Sequence, residues 1–315
     1  MRALLAALAL VLRSRPAPSR RAPALLLATS LLFSLNAGAQ TVIRSDENLG
    51  SDRPEAWAMN YFAASTLMTA FGETPALAPW RWSAALDLGH IPRLSEAQQR
   101  VGFNGIKFED LNKSPVFGRM RLMMGLPGAW VAELGYTPPL SINGAQPRDL
   151  FAIAIGRRVF ESDAFTLSMR AFGQHGRTRG DITCPARLAD VVDSQQNPFG
   201  CRAPSNDTLA LNYYGAELTS GWTAGSWHAH AGVGAARTEL TVQVDAFTFG
   251  FHDLSRLVAR GVLPFATVGA SRDVDQHWNL GAEVLYVPLR VRRGRDAARE
   301  SDPLTSLRLQ LSYRF

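Results

Sequence analysis

The sequence predicts an all-β chain whose strands close into a transmembrane, antiparallel, up-and-down β-barrel of about ten strands, with a short amphipathic helix ahead of it. Three observations carry that expectation. Residues Leu307 to Phe315 alternate apolar and polar without a break and end on an aromatic side chain. Nine further segments alternate in the same way at membrane-crossing length, and the connections between the segments alternate between long and short. A period of two is the mark of a strand with one face toward lipid or core and the other toward water.

Taken in chain order, residues 1–39 read as a secretory leader. They carry five arginines and no acidic residue, an apolar run at 24–35, and Ala37-Gly38-Ala39 as a small-residue cleavage site. A run of about 12 apolar residues is too short to cross a bilayer as a helix. A second apolar run at 3–12 fits either a start site placed too far upstream or an extended leader. The formal charge of +6 falls to about +1 once the five leader arginines are removed, so nothing argues for nucleic acid as a partner.

Residues 40–79 form a separate N-terminal periplasmic segment in this reading. Asp52 and Pro54 make a helix start, and Trp57, Tyr61, Ala64, Met68 and Phe71 recur at helical spacing before Gly72. An amphipathic helix over 54–71 is expected, either capping the periplasmic mouth or the membrane surface or inserted into the lumen as a plug, with 73–79 as a linker.

The barrel is expected over 80–315, with strands at 80–90, 116–124, 129–137, 149–159, 164–174, 208–220, 226–236, 261–271, 276–288 and 305–315. Each is close to the 9 to 11 residues that a tilted strand needs to cross a bilayer. Twelve or eight strands are the alternatives, because 80–90 is the weakest segment and 240–251 suits two more strands or a hairpin above the membrane. A soluble secreted β-sandwich would also alternate, but it would not keep charges inside and an apolar face outside.

The chain end Leu-x-Leu-x-Tyr-x-Phe, made by Leu309, Leu311, Tyr313 and Phe315, resembles the closing strand of bacterial outer-membrane β-barrels. The resemblance is to the superfamily and to no single family in it. It implies that Leu311, Tyr313 and Phe315 are read by the barrel assembly machinery, that the protein resides in the outer membrane after cleavage near Ala39, and that membrane lipid and lipopolysaccharide are its partners. With Phe315 at the periplasm, every short turn is periplasmic and every long loop lies outside, as such barrels are built.

Alternation also assigns facing. Met120, Leu122, Leu134, Ile153, Met169, Leu280 and Val284 point outward, with Trp130, Tyr136, Trp227, Trp278, Tyr286, Tyr313 and Phe315 as interfacial aromatics. Asp87, Arg119, Arg121, Glu133, Arg170, His228, His230, Glu283 and Arg308 then line the lumen. Two readings follow: paired charges filling a closed interior, or a narrow path for small hydrophilic solutes.

Cys184 and Cys201 are the only cysteines and fall in the longest loop, so they are expected to pair in an oxidising compartment. No further cysteine or suitably spaced histidine accompanies them, and neither a metal nor a cofactor is expected. The function expected is transport, structural or surface interaction, with an enzyme at the extracellular rim, of omptin or lipid A-modifying type, as the alternative. His175, Asp181, His252 and Asp253 are the weak catalytic candidates. Asp273-Val274-Asp275-Gln276-His277 resembles part of an omptin site but lies at a short, periplasmic turn.

Overall fold

Every expected barrel segment forms a strand, and the ten strands close on one another. The computed structural model describes residues 41–294 and 296–315, so the leader expected at 1–39 lies outside the described residues. The strands are β1 (Trp82–His90), β2 (Val116–Leu126), β3 (Trp130–Thr137), β4 (Gln146–Glu161), β5 (Phe165–Gly180), β6 (Asp207–Ala224), β7 (Trp227–Gln243), β8 (Arg256–Asp273), β9 (Trp278–Val287) and β10 (Leu304–Arg314). Each pairs antiparallel with the next, and β10 returns to β1 from Arg308 opposite Gly89 to Arg314 opposite Ser83. No strand edge is left along that seam, which is how a sheet satisfies its backbone in lipid.

The five strands β4 to β8 run 16 to 18 residues. That exceeds what crossing requires. Tight turns such as Gly225-Ser226, where Gly225 takes a left-handed φ of 63°, fix one end of these hairpins. The surplus length therefore stands above the membrane at the long-loop end. There, the 240–251 stretch resolves as an extension of β7 followed by a small hairpin, Ala246–Thr248 with Phe251–Asp253. Cys184 and Cys201 are disulfide-bonded with Cα atoms 5.6 Å apart and pack on Val244 and Ala246. Closing that loop contributes about 3 kcal/mol in the chain-entropy model.

The N-terminal segment departs from the periplasmic placement. Val42–Ile43 runs parallel to His252 and Asp253, and Asp46–Asn48 runs parallel to the start of β8, so this stretch sits at the long-loop end. Helix α1 (Pro54–Ser65) then enters the barrel, where Trp57 Nε1 donates to the Asp302 carbonyl at 3.0 Å and the Tyr61 hydroxyl donates to the Pro92 carbonyl at 2.7 Å. Beyond Thr66 the chain runs without regular secondary structure through the lumen. At the opposite end the Thr74 amide donates to Ser168 at 3.1 Å and the Trp80 amide to the Gly125 carbonyl at 2.8 Å. A Cβ on Gly125 would fall 2.3 Å from the Ala78 carbonyl, so the exiting linker requires glycine there.

The segment is thus a plug rather than a cap. Neither the helix length nor its one-sidedness follows the expectation. Ala56, Ala58, Met59 and Ala63 are as buried as Trp57 and Tyr61, so the helix is apolar on all sides, as an enclosed helix must be. It stops at Ser65 because polar side chains of the barrel wall take over the backbone groups beyond that point.

Candidate functional site

Inward positions of the strands carry a belt of charge at mid-height. Asp87 accepts from Arg121 Nε at 2.5 Å, and Arg121 Nη1 lies 3.4 Å from Glu133. Glu133 receives Arg170 through two nitrogens at 2.7 and 3.0 Å, and Arg170 Nη1 donates to Glu217 at 2.5 Å. The chain of five groups spans β1, β2, β3, β5 and β6. On the other side Glu283 accepts from Thr69 of the plug at 2.7 Å and lies 3.4 Å from His230.

Those two arginines, with Arg119 and Arg308, hold the plug by its main chain. Arg119 donates to the Thr66 carbonyl at 2.8 Å, Arg170 to Met68 at 3.0 Å, Arg121 to Thr69 at 2.6 Å, and Arg308 to Leu67 at 2.6 Å and Ala64 at 3.1 Å. Tyr213 donates to the Thr66 carbonyl at 2.8 Å and accepts from the Met68 amide at 3.0 Å, and Glu217 accepts from the Ala70 amide at 3.1 Å. An unwound chain in a low-dielectric interior needs such partners, because each unmet group costs a lost hydrogen bond or more.

All nine lumen residues named from the sequence point inward, with His228 at the turn end bound to Asp273 at 3.0 Å. Glu217 and Tyr213 escaped sequence reading, since β6 is apolar on both faces around Leu209 to Leu211 and the inward phase shows only from the ladder. Beyond the belt the interior becomes apolar, with Leu150, Phe172, Leu240, Leu285 and Leu304 in one buried cluster with the residues of α1. The lumen is accordingly a charged ring below a hydrophobic core, not a lumen filled with charge along its length.

On the outside, Leu86, Leu134, Ile153, Met169, Leu280 and Leu309 are all exposed, 45–64%. An apolar wall facing out and a ring of buried charge facing in leave lipid as the surrounding solvent. The fold is that of an outer-membrane β-barrel. No protein-family model matches the chain, and no curated protein matches it. The solved structures similar to this barrel include Ail, the attachment invasion locus protein of Yersinia pestis, at 11% identity over 76% of this chain and 100% of that one, with a TM-score of 0.23. The translocator domain of the autotransporter NalP from Neisseria meningitidis is similar at 12% identity over 77% and 91%, with a TM-score of 0.40. The outer membrane protease OmpT from Escherichia coli is similar at 10% identity over 75% and 94%, with a TM-score of 0.29.

The four weak catalytic candidates of the barrel have separate partners. His175 is exposed on the outer face of β5. Asp181 binds Lys113 at 2.8 Å and caps the Ala186 amide, His252 binds Asp245 at 2.7 Å, and Asp253 accepts from the Ser255 amide at 2.9 Å. None hydrogen-bonds another among the described residues. In the omptin-like turn, Asp275 accepts from the His277 and Trp278 amides at 2.7 and 2.8 Å, beside the Arg314 end of β10.

A cavity of about 390 Å³ lies in the long-loop half of the barrel, between α1 and the wall from β1 to β8. At its outer margin Lys107 Nζ bridges both oxygens of Glu109 at 3.0 Å and the Thr183 carbonyl. Burial pushes the Glu109 carboxyl up to about 8 against the pull of Lys107, with Asp207 and Glu55 pushing the same way as burial. A carboxyl raised in the folded state is stabilising when protonated, so its contribution is full below the ordinary value of 4.5 and is lost as pH rises through 8. We expect thermal stability in detergent to decline across that window and Glu109→Gln to flatten the decline. An unchanged slope in the variant would refute the assignment.

Proposed function

We propose that this protein is a sealed outer-membrane barrel of structural or surface-interaction type, acting through its cell-surface half and not as an open pore for hydrophilic solutes. The observation that carries this is the fixing of the plug, residues 64–70, by four arginines of the wall through its main-chain carbonyls. A segment tied by its backbone occupies the path that solutes would take, and its hydrogen bonds do not depend on which side chains it carries. The disulfide-stapled loop, the projecting strands of β4 to β8 and the parallel pairing of Val42–Ile43 support an ordered outer surface.

Export with cleavage near Ala39, reading of Leu311, Tyr313 and Phe315 by the assembly machinery, and contact of the outer loops with lipopolysaccharide belong to the same proposal. Planar-bilayer recording tests it. The purified protein is expected to give no steady conductance, whereas an ohmic, long-lived conductance would overturn the sealed reading.

A further inference from the structure

We propose that the cavity beside α1 binds one long-chain monocarboxylate, taken up at the outer margin of the membrane through a gap in the wall between β2 and β4, with its carboxylate against Arg119. The gap comes from β3. That strand ends at Thr137, where Pro138 and Pro139 supply no backbone donors to continue the ladder. Above that level the β2 residues 116–119 pair only with β1, and the β4 residues 146–148 pair only with β5, among the described residues. Pro147 removes one more donor from the β4 margin, and a bulge between Arg148 and Phe151 bends the strand beside the opening.

The cavity reaches both sides of the wall at this place. Its lining includes Leu88 and Val116, which are exposed on the lipid-facing surface, and also Met59 and Phe62 of the plug helix inside the barrel. Such a space opens to acyl chains more readily than to water. Its volume stands at the lower end for a ligand site, which suits a single chain and not a two-chain lipid.

Charge decides the head. Arg121 and Arg170 each have two carboxylate partners, Lys113 pairs with Asp110 and Asp181, and Lys107 already donates to both Glu109 oxygens and to the Thr183 carbonyl. Arg119 lines the same cavity, is 2% exposed, and has no carboxylate partner among the described residues. Its Nη2 is used on Thr66 and Gln174, but its Nε has no acceptor. A buried guanidinium without a counter-charge is costly, and a carboxylate entering from the cavity supplies both the charge and the missing acceptor.

This goes beyond the sealed-barrel reading and is measured separately from conductance. The experiment is equilibrium binding of palmitate and of hexadecanol to the purified full barrel in nanodiscs. Palmitate is expected to bind saturably at one site, roughly tenfold to a hundredfold tighter than the alcohol. Met59→Trp, which fills the cavity away from the belt, is expected to weaken palmitate at least tenfold. Arg119→Gln is expected to remove the preference for the acid, and Arg119→Lys, which keeps the charge should the first variant fail to fold, to retain part of it. Absence of saturable binding, equal affinity for acid and alcohol, or full binding by Met59→Trp would each overturn the proposal.

Discussion

Replacing Glu133 with alanine is expected to lower the unfolding free energy by about 3 to 5 kcal/mol, among the largest losses that one side chain of this barrel can produce. Glu133 is 7% exposed and serves two cations at once, Arg170 through both oxygens and Arg121 through one. Its removal leaves two buried guanidinium groups short of charge in an interior that water does not reach. Arg170 keeps Glu217, and Arg121 keeps Asp87, so the ring is weakened at one junction and not dismantled. Urea unfolding in detergent micelles measures the loss. Glu133→Gln keeps one acceptor and is expected to fall between the alanine variant and the wild type, whereas a loss below about 1 kcal/mol for alanine would mean that the ring is solvated. The double variant Glu133→Leu with Arg170→Leu is expected to cost less than the sum of its parts, because each single change strands the other partner.

The ring also marks how far the sequence could be read. Ten strands and the direction of every named lumen residue followed from a period of two, because a one-residue slip would put Arg170 or Glu283 into lipid, and that penalty keeps the alternation sharp. The long and short connections followed for the same reason, since turn chemistry such as Gly225 is local. What the strands enclose was less legible. Trp57, Tyr61 and Ala64 at helical spacing suggested one apolar face, yet Ala56, Met59 and Ala63 occupy the others, and alanine is too small to tell an enclosed helix from an interfacial one by pattern alone. The unwinding after Ser65 has no local signal, because the partners of Thr66 to Ala70 lie on β2, β5, β6, β9 and β10. Glu217 was hidden for a related reason: its strand is apolar inside and outside near Leu211, where the hydrophobic core above the ring begins.

Arg308→Met is the sharper test of the plug, because it deletes donors while nearly keeping volume. Arg308 sits where α1 ends, and its two terminal nitrogens reach the carbonyls of Leu67 at 2.6 Å and Ala64 at 3.1 Å, with Ser65 at 3.4 Å. These carbonyls lie where the helix gives way to the chain beyond it: Ala64 also accepts the Leu67 amide at 3.1 Å, whereas the Leu67 carbonyl depends on Arg308, and a cation at that end also meets the negative pole of the helix. Leaving the buried Leu67 carbonyl unmet costs about 1 to 3 kcal/mol, and a loss of that size is expected. The exposed Arg260, paired with Glu239 on the outer surface, provides the contrast, since Arg260→Met removes an ion pair worth about 0 to 1 kcal/mol. Amide hydrogen exchange separates the two effects: residues 64–70 are expected to lose protection in Arg308→Met while the strands keep theirs, and brief openings should appear in the bilayer recording where the wild type is silent. Protection at 64–70 equal to that of the wild type would show that the plug is held by packing around α1, and that the arginines follow its position instead of setting it.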